Sequence, residues 1–153
     1  MIKPTHEHFV TNIIKHLLIS NYEALKEPSS DSKLALFFLP ESEYHEIGLL
    51  FFAYVAKKKG LQTIYFGQSC PFEDVIQSAK EIKPAIIFTS TSSSISKVNL
   101  AELSKLVRKN IKGCHLCVTG YKANQDRFKM PKDIYAVSSI ESFNKIIKIV
   151  SKR

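Results

Sequence analysis

A chain of 153 residues with 44% hydrophobic and 24% charged side chains has the composition of one globular domain with a substantial core, not of a disordered segment. No apolar run approaches the ~20 residues that span a bilayer, and the amino end, MIKPTHEHFV, lacks the apolar stretch of a secretory signal. The formal charge of +8 admits an anionic partner, but the lysines in AKKKG, SKLVRKNIK and NKIIKIVSKR alternate with apolar residues as on solvated helix faces, and no recognisable nucleic-acid-binding motif accompanies them.

In chain order, Phe9, Val10, Ile13, Ile14, Leu17 and Leu18 recur at helical spacing and predict an amphipathic helix packed against other structure. Residues 1–27 therefore read as the last helix of a helical bundle whose other members lie outside this chain, and EPSSDSK as its linker to a second unit, 33–153. That unit alternates. Strands are predicted at 33–39, 61–67, 84–90 and 114–120, with a weaker one at 133–137; each is short, apolar on both faces and bounded by Gly, Pro or Ser. Helices are predicted at 46–59, 71–82, 98–110 and 140–150, with Pro71 at a first helical position and Glu73 and Asp74 in the first turn. This βαβα order predicts a five-stranded parallel sheet in a three-layer α/β/α sandwich, flavodoxin-like or Rossmann-like. In such sheets ligands gather beyond the carboxyl ends of the strands. The loops after Leu39, Phe66, Thr89 and Thr119 are accordingly the ones to search, Gln68 and Ser69 among them.

The loop after the first strand reads Glu43-Tyr44-His45-Glu46-Ile47-Gly48. A neutral imidazole can give a lone pair to a transition metal, and a carboxylate two residues earlier can accept the other ring N–H, which sets the tautomer and raises the basicity of the ligand. Gly48 allows close approach at a helix start, and the small polar run from Ser90 to Ser94 leaves room at the sheet edge. Between Gly48 and Ser90 lie 41 residues, and between Ser92 and Gly120 lie 27. An acid-x-His-x-x-Gly loop, a Ser turn and a Gly-led turn at these gaps resemble the pattern of cobalamin-binding domains. The resemblance implies a cofactor bound with its own nucleotide base displaced from cobalt by His45. It also implies contacts from Glu43, Glu46, Ile47, Gly48, Gln68 and Ser69, and a nucleotide tail running past Ser90, Thr91, Ser92, Gly120 and Tyr121. Two departures stand out: Ser90-Thr91-Ser92 replaces the family's Ser-x-Leu, and Gly120-Tyr121 replaces its Gly-Gly.

HEHFVTNIIKHLL, followed by the stretch from LFFLPESEYHEIG to FEDV, is similar to the carboxyl-terminal part of cobalamin-dependent regulators of the MerR type, including light-responsive ones. Glu7-His8 matches the Glu-His pair that faces the upper side of the corrin in that family. At about 100° per residue His8 falls nearly opposite the centre of the apolar stripe, so core packing does not account for it. The tryptophan that accompanies this pair has no counterpart, because the chain contains none. The expectation is a sensory domain without enzymatic activity of its own, binding adenosylcobalamin. The full-length protein would be a homo-oligomer and would contact DNA only through an amino-terminal domain outside this chain. The corrinoid carrier of a methyltransferase or mutase shares the same loop and stays open as the alternative, as does a sheet that has lost its cofactor.

Other chemistry is weaker. Cys114 and Cys117 have the spacing of half a zinc site, but no second half exists, and on a strand the two thiols point to opposite faces. They read as core thiols. Three cysteines, an odd number in a chain that needs no staples, fit a reducing compartment, and the expected location is the cytoplasm. No phosphate-binding glycine loop and no Ser/His/Asp arrangement is present, and His16 and His115 read as structural.

Overall fold

The computed structural model describes residues 3–91, 99–120 and 134–151. Helix α1 (Pro4–Glu23) leads into β1 (Leu34–Pro40), α2 (Ile47–Lys58), β2 (Gln62–Cys70), α3 (Phe72–Ile82), β3 (Ile86–Ser90), α4 (Leu100–Asn110), β4 (His115–Thr119), β5 (Ile134–Ala136) and α5 (Ile140–Ser151). The five strands form one sheet in the order β2-β1-β3-β4-β5, every neighbouring pair parallel. This is the flavodoxin-like order, and the chain reverses direction across the sheet between β1 and β3. In folds of this order ligands gather at the carboxyl ends of those two strands.

Alternation along the central strands divides the core in two. From β1, Ala35, Phe37 and Leu39 point to the layer formed by α2 and α5, while Leu36 and Phe38 point to the layer of α3 and α4. Phe52, Phe88 and Phe143 close the first layer with ring centroids 4.9–5.4 Å apart. The thiols separate as expected. Cys117 lies in the first layer and Cys114 against the second, and burial raises the thiol pKa of both, Cys114 to about 12.

Two expectations need correction. Strand β2 is not buried on both faces: it is an edge strand, half-buried along most of its length, because only β1 pairs with it. Pro71 is the cap before α3 and not its first residue, with ψ at 138° keeping it extended. In α1 no residue is buried. Phe9, Val10, Ile13, Ile14 and Leu17 are 41–67% exposed, and the domain instead receives the half-buried face of Thr11, Lys15, Leu18, Ile19 and Tyr22. The predicted stripe thus faces away from the sheet, and nothing in this chain covers it among the described residues.

Side-chain contacts set the direction of α1. Lys15 pairs with Glu46 at the start of α2, whereas Tyr22 lies 4.6 Å under the Lys57 ammonium in the last turn of α2. Glu27, beyond the end of α1, also pairs with Lys57, and Tyr22 shares a 2.5 Å hydrogen bond with Thr63. Helix α1 therefore runs alongside α2 in the same direction. Its first turns, ahead of Lys15, continue past the amino end of α2, on the side of the sheet where the carboxyl ends of the strands lie.

Candidate functional site

The loop between β1 and α2 is tied to both the strand it leaves and the edge strand beside it. The Glu43 amide donates to the Pro40 carbonyl at 3.0 Å, and the Ser69 amide donates to the Glu43 carbonyl at 3.3 Å. Ser42 and Ser69 both adopt positive φ, 65° and 52°, and the Ser42 amide donates to the Ser69 hydroxyl at 3.2 Å. The crossing is tight, and small side chains suit it.

Glu43 is fully buried, and one carboxylate oxygen, Oε1, accepts three hydrogen bonds: from the amides of Tyr44 and His45 at 3.1 Å each and from His45 Nδ1 at 2.7 Å. The carboxylate thus shapes the turn and orients the ring together. The His45 side chain is 72% exposed. With Nδ1–H committed to Glu43, a neutral ring carries its lone pair on Nε2, the nitrogen left for a ligand. A buried carboxylate holding an outward-facing imidazole is the arrangement that orients histidine ligands at metal centres.

The next residue, Glu46, anchors three elements. Its carboxylate takes Lys15 from α1, the Tyr65 hydroxyl at 3.0 Å and the Gln68 amide at 2.7 Å from β2. Gln68 also donates to the Tyr44 carbonyl at 2.9 Å. Burial and, after it, the charge of Glu46 push the Tyr65 phenol well above its ordinary range, so it stays protonated and donates. A cleft of about 170 Å³ opens here, lined by Ile19 and Tyr22 of α1, by Leu50 and by Tyr65. Sequence reasoning placed Glu46 at the site but missed Lys15 and Tyr65. Neither carries a motif, and only the packing of α1 on α2 brings them to the loop.

At the carboxyl ends of β3 and β4, Ser90 and Thr91 are buried. Thr89 and Thr91 have buried hydroxyls with no hydrogen-bond partner among the described residues. Gly120 follows β4 with φ at +104°, and a Cβ there would stand 2.8 Å from the Thr91 carbonyl group. Glycine is therefore required at 120, because the two strand ends press together, and the Thr91 amide donates to the Thr119 carbonyl at 3.0 Å. At Gly48, in contrast, an added Cβ would meet nothing within 4 Å among the described residues, none of which demands glycine there. Ser92 and Tyr121 lie outside the described residues. Glu7 and His8 are exposed on α1. Seven residues, two helical turns, separate His8 from Lys15, which puts both on nearly the same side of α1 with His8 about 10 Å further along the axis.

Among the described residues no three His, Cys, Asp or Glu side chains cluster as a metal site. A bare transition metal needs three or four protein ligands. One oriented imidazole fits a metal whose other coordination positions a bound macrocycle would fill. The buried hydroxyls of Thr89 and Thr91, and a Gly48 with no near neighbour among the described residues, are compatible with such a guest.

Fold and loop together define a class: a doubly wound α/β domain with a carboxylate-oriented histidine at the point where strand order reverses. No family model matches the chain. It is 28% identical over 109 residues to trimethylamine corrinoid protein 1 of Methanosarcina mazei, a match covering 69% of this chain and 50% of that protein. The chain therefore spans about half the length of that relative. Among solved structures, the monomethylamine corrinoid protein of Methanosarcina barkeri superposes with a TM-score of 0.74 at 16% identity, over 97% of this chain and 72% of the other. The methanol:cobalamin methyltransferase complex of the same organism gives 0.69 at 13% identity, over 99% and 59%. At these identities the superpositions establish a shared fold, and α1 is included in it, since both extend over nearly the whole chain. No helix among the described residues is long and apolar enough to cross a membrane.

Proposed function

We propose that this chain binds a cobalamin with the cofactor's nucleotide base displaced, His45 serving as the protein's ligand to cobalt. The observation that carries the reading is the pairing of a fully buried Glu43 with an imidazole that is 72% exposed, at the carboxyl end of β1. Burying a carboxylate is costly unless its hydrogen bonds are satisfied, and here they are used to aim a ring at solvent. The likeness to a corrinoid protein supports the same reading. Bound cobalamin would supply a carbon–cobalt bond that can be made and broken. The chain's own residues hold and orient: Glu43 keeps the proton on His45 Nδ1, Gln68 and Ser69 brace the turn, and Ser90, Thr91 and Gly120 line the path proposed for the nucleotide tail.

Two roles follow from one site. The likeness to corrinoid proteins of methylamine and methanol metabolism supports a carrier that presents its cofactor to a methyltransferase partner and holds no catalytic group itself. The position of Glu7-His8, ahead of Lys15 on the face of α1 that meets the domain, supports the regulator reading, in which adenosylcobalamin binds beneath that pair. There a homo-oligomer would contact DNA through a further domain. Incubation with hydroxo-, methyl- and adenosylcobalamin, removal of excess and visible spectra in the dark and after illumination test both. A carrier retains the methyl form and cycles through reduced cobalt; a sensor prefers the adenosyl form and changes assembly in light. His45→Ala should leave any retained cofactor without histidine ligation. A spectrum unchanged by that substitution rejects the assignment, and a colourless protein rejects cobalamin binding altogether.

A further inference from the structure

The ion pair between α1 and the His45 loop has a consequence for how the site works. No residue of helix α1 is fully buried, and the four residues of its first turn, Pro4 to Glu7, are all exposed. Among the described residues the charged contact from α1 to this loop is Lys15 to Glu46, and Glu46 directly follows His45. The same carboxylate accepts from Gln68, whose amide also holds the Tyr44 carbonyl, on the other side of His45. Tyr65 fills the second oxygen at 3.0 Å. The histidine is thus bracketed by two residues, Tyr44 and Glu46, joined through one glutamine, and the carboxylate in that bracket is also the attachment point of α1.

We propose that Glu46 is a latch coupling the seating of α1 to the setting of the His45 turn, so that displacement of the helix loosens the imidazole and removal of what His45 holds loosens the helix. Coupling of this kind is reciprocal by thermodynamic necessity. Glu46 and Lys15 act here as positioning residues. The proposal rests on the cobalamin reading only for its functional meaning, because the latch itself is a property of the chain alone.

The test is hydrogen exchange on the cofactor-free protein, wild type against Lys15→Met, Lys15→Arg and Glu46→Gln. Lys15 has a side chain 37% exposed, so its replacement should leave the fold intact. A partly exposed pair is worth little, so the expected change is small, about two- to fivefold. Faster exchange is expected both along α1 and at the amides of Tyr44, His45 and Glu46 in Lys15→Met and Glu46→Gln, with Lys15→Arg restoring both. Loosening of α1 with no change in the loop overturns the proposal, as does no change in either. With hydroxocobalamin added, Lys15→Met should lower the histidine-ligated fraction seen in the visible spectrum, and Lys15→Arg should not. Wild-type protein that retains no cobalamin would sink the cofactor reading while leaving the exchange measurement to decide the latch.

Discussion

Glu43 and Gly120 are the two residues whose environment leaves least freedom. Replacing Glu43 by Gln keeps the shape but removes the charge that three donors share at Oε1. Loss of a carboxylate partner of a metal-bound histidine typically weakens binding about 10- to 100-fold, so Glu43→Gln should reduce cobalamin retention on that scale, measured by equilibrium dialysis. Gly120→Ala should cost about 2–4 kcal/mol in urea unfolding, from a left-handed backbone and an overpacked strand end. An unmoved midpoint would mean that the 2.8 Å approach to Thr91 is not a constraint. The thiols give a pH-dependent check. Burial raises the pKa of Cys114 to about 12, and that of Cys117 further, so near neutrality both are protonated and react slowly. Cys70 is also raised but is less buried, so alkylation of the folded protein should reach Cys70 first. The order is read by mass spectrometry of labelled peptides; rates should climb with pH, and unfolding should abolish the difference.

Helix α1 exposes the large apolar side chains Phe9, Val10, Ile13, Ile14 and Leu17. Its apolar stripe was legible as periodicity; that its opposite, half-buried face would rest on α2 was not, because that face carries only a mixed set of polar and apolar residues whose partners are distant in the chain. Charging the stripe with Ile13→Glu and Leu17→Glu should leave the stability of this chain within about 0.5 kcal/mol, as for other exposed positions. Phe88→Ala, at the centre of the aromatic layer, should cost about 3–5 kcal/mol. Chemical denaturation of the two variants gives the comparison, and a large loss from the helix pair would show that the stripe is packed in solution. Strand β2 teaches a related lesson. Its run LQTIYFG reads as apolar enough for two-sided burial, yet edge position leaves it half-exposed, and residue identity does not encode strand order.

For the whole molecule, the charge of +8 takes a simpler form once the fold is known. Lys57 and Lys58 lie in the last turn of α2, Lys80 in that of α3, Arg108 and Lys109 in that of α4, and Lys148 in that of α5. Acids occupy the opposite ends, with Glu73 and Asp74 at the start of α3, Glu102 at α4 and Glu141 at α5. In a parallel sheet all these helices run the same way, so these charges sit where the helix dipoles favour them without an anionic partner. The helix starts, beside the His45 loop, carry these acids. A ligand that binds only the folded state stabilises it by mass action, about 2.7 kcal/mol at a hundredfold excess over Kd. Thermal unfolding with cobalamin should therefore shift upward in wild type and much less in His45→Ala; equal shifts would place the binding elsewhere.

The alternation of apolar runs, the breakers between them and the acid-x-His loop were all local patterns, and local patterns are what a sequence determines by itself: strands, helices, and a histidine with a carboxylate two residues away. The burial of Glu43 and the pressing of Gly120 against Thr91 were decided only by tertiary structure. So were the arrival of Lys15 and Tyr65 at Glu46 and the outward face of α1. Each of these depends on contacts between residues far apart in the chain, whose energies are set by what surrounds them and not by their own identity.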